Sequence, residues 1–291
     1  MALLKSIAFT AVALVALSAG AIATAQASSG GPTVASFDHG ALDTLIELGL
    51  AEKVIAVPLT GLPDYLSGIE QGRTDVGNLK TPDLNAVRGA DPDIILITGR
   101  QSANLEGLQA IAEIRNVSLE GGDYQTSVTE KVMGLAALYD HESAARDRLS
   151  ELWSHIKRRR EAISNVPEVV VVTHNNGHFS LRREPVVFEL LGLQEPALPE
   201  EVKPVTRGTR VFVPVTPEVI AKMAPDALLI VDRSAAIGDE PMDLSRLKQA
   251  LKAAGSNAPV TVLDAKLWYL SGAGLQSTKL QVDEVIAAIT R

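Results

Sequence analysis

TPDLNAVRGADPDIILITGR (residues 81–100) and TPEVIAKMAPDALLIVDR (residues 216–233) carry one pattern twice. Each segment begins with Thr-Pro, which favours a helix start with threonine as N-cap and proline in the first turn. Pro-Asp and a run of apolar residues follow, and an arginine, Arg100 or Arg233, stands eight positions after the second proline. The apolar runs lack polar alternation, which is typical of parallel strands covered on both faces. The repeat therefore predicts two related α/β halves.

Further apolar runs alternate with helical patterns along the rest of the chain. We expect strands at residues 34–37, 55–57, 94–97, 169–173, 227–231 and 260–263. Residues 126–164 have a helical pattern with a break near Tyr139 and Asp140. These features predict an α/β fold of two lobes with a cleft between them. The expected parts are an N-terminal lobe at 28–138, a connecting helix at 139–165 and a C-terminal lobe at 166–291.

The first segment has the layout of a secretory signal peptide. Residues 6–25 form an apolar run after Lys5, and the small-x-small pattern Ala25-Gln26-Ala27 follows. A membrane anchor is the alternative, but the run is rich in Ala, Gly, Ser and Thr, and the serine and glycine residues 28–31 follow it at once. We expect residues 1–27 to be removed and the protein to be exported to a bacterial periplasm in soluble form.

Composition excludes several function classes. The 291 residues carry a formal charge of −8 and no cysteine. Residues 1–27 hold Lys5 and no carboxylate, so their removal changes the charge from −8 to −9. An acidic chain is a poor nucleic-acid binder, and a chain without cysteine forms neither disulfides nor thiolate metal sites. The sequence also lacks a P-loop, a G-x-S-x-G elbow, a Rossmann glycine fingerprint and H-E-x-x-H, so we expect no enzyme.

The repeated arginines are candidates for a binding site. Ligands of open parallel sheets bind outside the carboxyl ends of the strands. Arg100 and Arg233 follow such ends, one in each predicted half, so both guanidinium groups are expected to point into the cleft. The alternative is a pair of surface arginines at strand exits.

Five motifs in order resemble one family, the periplasmic siderophore-binding proteins of ABC importers, in the branch that binds ferric catecholates such as enterobactin. The resemblance runs from about residue 33 to the end of the chain. It implies a bilobal α/β fold with a single connecting helix, no resident cofactor, capture of a ferric siderophore and delivery to an inner-membrane ABC permease. We expect a monomer. The motifs are FDHGALDTLIELGL (37–50), VPLTGLPDYL (57–66), TGRQS (98–102), VDRSAAIG (231–238) and LDAKLWYLSGAGLQS (263–277).

The resemblance implies that three arginines neutralise the bound complex. Arg100 and Arg233 match two of them, and the position nine residues before Gly192 assigns the third to Arg183. A one-residue shift would assign it to Arg182 instead, and the alternative for Arg183 is a loop arginine paired with Glu184. Iron(III) held by six catecholate oxygens carries three negative charges, and arginine stays charged while offering paired donors to paired oxygens.

The resemblance also implies direct iron ligands. Tyr269 matches a tyrosine that supplies a phenolate oxygen; the alternative is a half-buried tyrosine hydrogen-bonded to the backbone. The family's histidine ligand is missing, because Arg207 and Gly208 stand in its place and positive charge replaces the imidazole. His174 or His178, in the loop THNNGHFS, is a possible substitute; the alternative is a solvated loop histidine. Without an imidazole ligand, the protein should prefer a siderophore that fills all six iron sites.

Permease docking in the wider group uses an acidic residue on each lobe, seven residues before the proline that precedes the strand. Glu218 fits this position before Pro225. Asn85 occupies it before Pro92, so Asp83 is the nearest substitute in the N-terminal half. The alternative for both acids is an ordinary carboxylate in a first helical turn, where the helix dipole favours negative charge.

Two other functions fit the same residues less closely. Arginines also pair with propionates, so haem or another anionic chelate is an alternative ligand. A periplasmic interaction or sensor protein that has lost the iron site is an alternative outside transport.

Overall fold

The computed structural model describes residues 30–208 and 210–290, so the predicted signal peptide lies outside the described residues. The N-terminal half contains a five-stranded sheet in the order β3-β2-β1-β4-β5, and every pair in it is parallel. The buried strands β1, β2 and β4 carry the apolar runs that the sequence predicted. The five strands are β1 (Val34–Ser36), β2 (Val54–Val57), β3 (Thr74–Asp75), β4 (Ile94–Ile97) and β5 (Glu113–Asn116).

The C-terminal half contains a second five-stranded sheet in the order β10-β7-β6-β11-β12, and a separate hairpin pairs β8 with β9. Strands β6, β11 and β12 are parallel, whereas β7 runs antiparallel to β6 after a tight turn. Asn176 and Gly177 form that turn with φ values of 49° and 77°, as an Asn-Gly pair favours. The strands are β6 (Val169–Asn175), β7 (His178–Leu181), β8 (Val205–Arg207), β9 (Arg210–Phe212), β10 (Pro214–Val215), β11 (Ala227–Asp232) and β12 (Val260–Val262).

Helices cover the two sheets, and the long helix α5 lies between the halves in sequence. The predicted helix break is present, because Asp140 adopts a left-handed conformation with φ of 55° between α4 and α5. Within the described part of the chain, no helix is both long and apolar enough to cross a bilayer. The helices are α1 (His39–Glu47), α2 (Leu84–Ala90), α3 (Leu105–Gln109), α4 (Tyr124–Ala136), α5 (Glu142–Glu161), α6 (Pro217–Met223), α7 (Arg233–Ala236), α8 (Leu244–Ala253), α9 (Ala265–Tyr269) and α10 (Leu275–Ile289).

The two Thr-Pro segments start their helices differently. Thr216 caps α6 as predicted, since its hydroxyl accepts the backbone N–H of Val219. In the first segment the prediction was wrong: Asp83 caps α2, and its carboxylate accepts the backbone N–H groups of Asn85 and Ala86. Thr81 is engaged elsewhere, because its N–H and hydroxyl both donate to the Asn78 side chain. Asp83 caps the helix in place of Thr81, so α2 begins at Leu84 rather than at Pro82.

One apolar core extends through both halves. It joins side chains from α1, α4, α5, α10 and both central sheets, so the helices between the sheets bury apolar surface against each half at once. Burial of this kind is the main favourable term in folding, at about 25 cal/mol per Å². Its members include Leu42, Leu45, Val128, Val132, Leu152, Ile156, Val171, Leu229, Val282 and Val285.

Helices α1 and α10 meet at glycines. A Cβ atom on Gly40 would collide with the backbone oxygen of Gly272, and one on Gly274 would collide with the Gly40 carbonyl and the Asp43 carboxylate. This close approach lets Asp43 accept the backbone N–H groups of Gln276 and Ser277 at 3.2 and 3.0 Å. The side chain of an N-terminal helix therefore satisfies the first turn of the C-terminal helix.

A glycine-to-alanine pair tests this packing. Gly40→Ala should lower the free energy of unfolding by about 1–3 kcal/mol, because the added methyl group meets fixed backbone. Gly134→Ala is the matched control: an alanine Cβ at this position of helix α4 would meet no atom of another element within 4 Å, so the change should be neutral or stabilising by up to about 1 kcal/mol. Urea denaturation measures both, and equal stability of the two variants would contradict the close approach.

His39 and Asp43 lie one turn apart on α1 and have oppositely shifted pKa values. His39 Nδ1 lies 3.1 Å from the Leu270 carbonyl oxygen, and burial lowers the pKa of His39 from 6.5 to about 4. Burial raises the pKa of Asp43 from 3.8 to about 6, against the hydrogen bonds that it accepts. The histidine contribution to stability is lost as pH falls from 6.5 towards 4. Asp43 acts in the opposite direction, because its neutral form is favoured in the fold and stability falls as pH rises through the same range.

Replacing the histidine isolates its own contribution to the pH dependence of stability. His39→Asn keeps an amide N–H near the position of Nδ1 but does not titrate. The stability difference between wild type and His39→Asn should shrink by up to about 3 kcal/mol between pH 6.5 and 4. Urea denaturation across this range measures the difference, with exposed His178→Asn as control. A difference independent of pH would mean that His39 is not buried in its neutral form.

Candidate functional site

Arg100 and Arg233 follow the carboxyl ends of β4 and β11 and meet at one aromatic ring. The guanidinium carbon atoms of Arg100 and Arg233 lie 5.2 and 5.5 Å from the centroid of the Tyr269 ring. Arg100 Nη2 donates to the Tyr269 carbonyl oxygen at 2.6 Å, and Arg233 Nε donates to the Tyr269 hydroxyl oxygen at 2.8 Å. The structure therefore brings together two cations from different halves and the phenol at the end of α9.

Helical caps fix where the two arginines leave their strands. After β4, Thr98 caps the short turn 99–104: its hydroxyl accepts the Arg100 N–H, and its own N–H donates to the Gln101 side chain. After β11, Asp232 caps α7 by accepting the Ala235 N–H at 3.2 Å. Each arginine therefore follows a strand end whose backbone is held by hydrogen bonds.

A pocket of about 320 Å³ opens beside Arg100 and is lined by residues from both halves. Lys131 and Arg182 add two further cations to its wall, and Asp38 and Glu184 add two carboxylates. Lys131 Nζ lies 2.6 Å from Asp38 Oδ1, and the lysine side chain is only 4% exposed. Arg182 Nε pairs with Glu184. The wall therefore carries three cations against two carboxylates, in a protein whose overall charge is −8.

Arg182, rather than Arg183, lies in this pocket. Arg182 Nη2 donates to the Trp268 carbonyl oxygen at 3.1 Å. Arg183 is 86% exposed, pairs with Glu195 at 3.1 Å and lines a separate depression. The two residues directly follow β7, yet their side chains lie in different depressions. The sequence assigned the third arginine by counting nine residues back from Gly192. Such a count can be wrong by one residue, which is why it selected Arg183 instead of Arg182.

The segment 268–274, here named the strap, joins α9 to α10 and is held by side chains from several elements. Its first three carbonyl oxygens are contacted in order by Arg182, Arg100 and His39 side-chain nitrogens. The Tyr65 hydroxyl lies 2.6 Å from the Ser271 hydroxyl further along. Sequence reasoning missed Asp38, Lys131 and His39 in this region, although Asp38 and His39 stand in the FDHGALD motif.

His174 and His178 differ in their surroundings. His174 is buried; its Nδ1 lies 2.8 Å from Asp232 Oδ1, and its Nε2 accepts the Gly177 N–H at 3.0 Å. Both ring nitrogens are thus engaged, and neither is available to a metal in this structure. His178 is exposed at the start of β7. Among residues 30–208 and 210–290, no group of three or more histidines and carboxylates is arranged to hold a metal ion.

Arg207 lies on the exposed β8–β9 hairpin, opposite Arg210 in the strand register. It is not among the residues that line the 320 Å³ pocket.

Glu218 and Asp83 are exposed at corresponding places in the two halves. Glu218 lies in the first turn of α6, where a hydrogen bond from the Thr216 side chain lowers the pKa of its carboxyl group. Asp83 is the N-cap of α2. Both carboxylates also have a local role at a helix start, which is the alternative that the sequence left open.

A larger depression of about 480 Å³ lies between the start of α4 and the side of α5. Its wall includes Trp153, Lys157, Arg160 and Glu189, and it contains neither strand-end arginine. The smaller pocket is the better candidate, because Arg100 and other charged groups from both halves converge there. Arg233 and Tyr269 do not line this pocket and are joined to it through the contact of Arg100 with Tyr269.

Comparisons with known proteins agree on one family. A family model described as periplasmic binding protein matches residues 34–267. The petrobactin-binding protein YclQ of Bacillus subtilis is 32% identical over 267 residues, which cover 87% of this chain and 80% of the relative. The ferric-anguibactin-binding protein FatB of Vibrio anguillarum is 25% identical over 273 residues, covering 87% of this chain and 81% of the relative.

Solved structures share the whole fold. The crystal structure of YclQ matches with a TM-score of 0.75 and 29% identity, over 90% of this chain and 93% of that one. The siderophore-binding protein BauB, solved with two acinetobactin molecules and ferric iron, matches with a TM-score of 0.72 and 25% identity, over 89% of this chain and 93% of that one. The predicted bilobal α/β fold is confirmed.

Proposed function

The chain belongs to the periplasmic binding protein family, and from this premise we propose that it captures an anionic ferric siderophore in the periplasm and delivers it to an ABC permease. The relatives are described as binding petrobactin, ferric anguibactin or an acinetobactin–iron complex. The observation that carries the proposal is the convergence of Arg100, Arg182 and Arg233 on the strap around Tyr269. The ferric siderophore is cargo, so no resident cofactor takes part.

The charge of the ligand explains the arginines. A ferric tris-catecholate carries three negative charges, and enclosing it between two lobes removes much of its hydration. That desolvation is unfavourable unless fixed positive charges replace the water. The guanidinium groups of Arg100, Arg182 and Arg233 present planar forks of N–H donors that match paired catecholate oxygens. A catecholate is therefore the ligand class that we expect.

The strap carbonyls hold the arginines ready before the ligand arrives. Arg100 and Arg182 each donate one N–H to a carbonyl oxygen, and each guanidinium has further N–H groups to offer. A catecholate oxygen is a stronger acceptor than a carbonyl oxygen, because it is charged. Binding therefore needs only small side-chain shifts, and the arginines lose little conformational freedom when the complex forms.

Neighbouring arginines provide the test of the site. Arg182→Ala, Arg100→Ala and Arg233→Ala should each weaken binding of ferric enterobactin by about 1.5–3 kcal/mol, the value of a hydrogen bond to a charged group. Arg183→Ala is the matched control and should leave affinity unchanged, since its side chain is 86% exposed and pairs with Glu195 rather than with the strap. Tryptophan fluorescence quenching measures these affinities. If Arg183→Ala weakened binding and Arg182→Ala did not, the assignment of the third arginine would be reversed.

We propose that the phenol oxygen of Tyr269 completes the iron shell when the siderophore leaves it unfilled. Its hydroxyl oxygen accepts a hydrogen bond from Arg233, and two guanidinium groups lie against its ring. A phenolate oxygen is a hard donor for iron(III). A hexadentate siderophore does not need this ligand, whereas a tetradentate one does. We infer that charge, more than open coordination, decides selection, with exposed Arg207 adding attraction outside the pocket.

Tyr269→Phe separates the two ligand types. The variant should bind a ferric bis-catecholate more weakly than wild type and lose the phenolate contribution to its visible charge-transfer band, because the fifth oxygen donor is gone. Binding of a ferric tris-catecholate should change less. Tyr139→Phe is the control, since that hydroxyl donates to the Pro32 carbonyl oxygen instead. Equal effects of Tyr269→Phe on both complexes, without a spectral change, would exclude a phenolate ligand.

We further propose that Glu218 and Asp83 contact the permease, one from each half. They are exposed carboxylates in corresponding helix starts, so they can pair with cations on a partner without perturbing the cleft.

Replacing Glu218 or Asp83 should lower uptake of the iron–siderophore complex without changing the affinity of the protein for it. Glu218→Ala should lower iron–siderophore uptake in cells while leaving ligand affinity intact, because only docking is affected. Asp83→Ala should act likewise and also cost about 1 kcal/mol of stability through its lost helix cap. Glu161→Ala, an exposed acid at the end of α5, serves as control. Radiolabelled iron uptake measures transport, and loss of affinity in Glu218→Ala would assign that residue to the fold or the cleft.

A further inference from the structure

At the carboxyl ends of β6 and β11, hydrogen bonds that involve side chains join the two strands and the residues that follow them. His174 is opposite Asp232 in the strand register. The next two residues of each strand end also contact one another: Arg233 Nη1 donates to Asn175 Oδ1, and the Asn176 N–H donates to Ser234 Oγ at 2.9 Å. Three consecutive pairs thus join the β6–β7 turn to the start of α7. We call this set of pairs the ladder.

The first pair of the ladder is buried and has a defined proton arrangement. His174 is 4% exposed and Asp232 is 3% exposed. The Gly177 backbone N–H can only donate, so the Nε2 atom of His174 that it contacts must carry a lone pair. The proton of the neutral ring is then on Nδ1, which donates to Asp232 Oδ1 at 2.8 Å. The imidazole therefore links the aspartate to the turn.

Asp232 connects this histidine to the helix that carries Arg233. Its carboxylate also accepts the backbone N–H groups of Ala235 and Met242, at 3.2 and 2.7 Å. Burial opposes its ionisation, but the hydrogen bonds from His174, Met242 and Ala235 outweigh burial and lower the pKa of Asp232. An ionised, fully hydrogen-bonded carboxylate holds the start of α7 in one place.

Two hydrogen-bond partners orient the guanidinium group of Arg233. Its Nη1 is held by Asn175, which is adjacent to His174 on the turn, and its Nε is held by the Tyr269 hydroxyl. Both strand ends that flank the guanidinium are thus fixed by the His174–Asp232 pair. The side chain itself does not touch the histidine in any of these hydrogen bonds.

We propose that His174 is a positioning residue for Arg233: through Asp232 and the Gly177 turn, it holds the guanidinium in the geometry that receives an anionic ferric complex. The role of Arg233 towards a ligand rests on the proposed function, whereas its orientation in the ligand-free protein does not. This role also explains why both ring nitrogens of buried His174 are engaged in hydrogen bonds and neither is free to bind a metal.

A double-mutant cycle tests the coupling, with ferric enterobactin as probe. His174→Ala should weaken binding about tenfold in the wild-type background and less than about twofold in the Arg233→Ala background, because the histidine acts through that arginine. His174→Asn, which keeps an N–H for Asp232, should restore part of the affinity. Ile220→Ala, a core change in α6, controls for lost stability and should leave affinity unchanged.

A second measurement needs no ligand. In protein labelled with ¹⁵N-arginine, the Arg233 Nε–H should exchange slowly with water in wild type and faster in His174→Asn and His174→Ala. This readout decides the proposal even if the probe does not bind at all, which would count against the proposed function alone. Equal losses of affinity in both backgrounds, or unchanged Arg233 Nε–H exchange in a folded His174 variant, would overturn the positioning role.

Discussion

The contact of two arginines with one tyrosine is the interaction on which the cleft depends. Arg100 and Arg233 repel each other, and their guanidinium carbons nevertheless lie within 5.5 Å of the same ring centroid. The π face of Tyr269, its carbonyl oxygen and its hydroxyl oxygen offset that repulsion. A ligand with several negative charges would offset the remaining repulsion, which is why we propose an anionic guest for this arrangement.

The strap places that tyrosine, and the packing of α1 against α10 places the strap. Gly40 and Gly274 allow the two helices to approach, and Asp43 satisfies the first turn of α10. The carbonyl oxygens at the start of the strap then face side chains from both halves. Because one apolar core also runs through both halves, the two sides of the cleft are held in a fixed relation by burial as well as by hydrogen bonds.

Much of the fold could be predicted from local sequence. Apolar runs at β4, β6 and β11 identify buried parallel strands, and the repeated arginine positions identify the strand ends that flank the cleft. The family match confirms the prediction of a binding protein rather than an enzyme. The short strands β3 and β5 could not be predicted in this way, because their side chains are largely exposed and polar and no apolar run marks them.

The rest of the site depends on tertiary contacts that spacing does not encode. Neither Lys131 nor His39 belongs to a strand: Lys131 lines the pocket from α4, and buried His39 contacts the strap from α1. The choice between Arg182 and Arg183 depends on which of two adjacent side chains after β7 faces the pocket. His174 resembles a loop ligand in the sequence, but the strand continues to Asn175 and buries it against Asp232.

The central claim is that the cleft selects its ligand by charge. The most direct measurement is a fluorescence titration of the wild-type protein, in which buried Trp268 lines the pocket and reports on binding. A ferric tris-catecholate with three negative charges and an uncharged ferric tris-hydroxamate of the same coordination number are compared under identical conditions. The account predicts that the anionic complex binds at least about 100-fold more tightly, a difference of about 2.7 kcal/mol. Equal affinity for the two complexes, or a preference for the uncharged one, would contradict it.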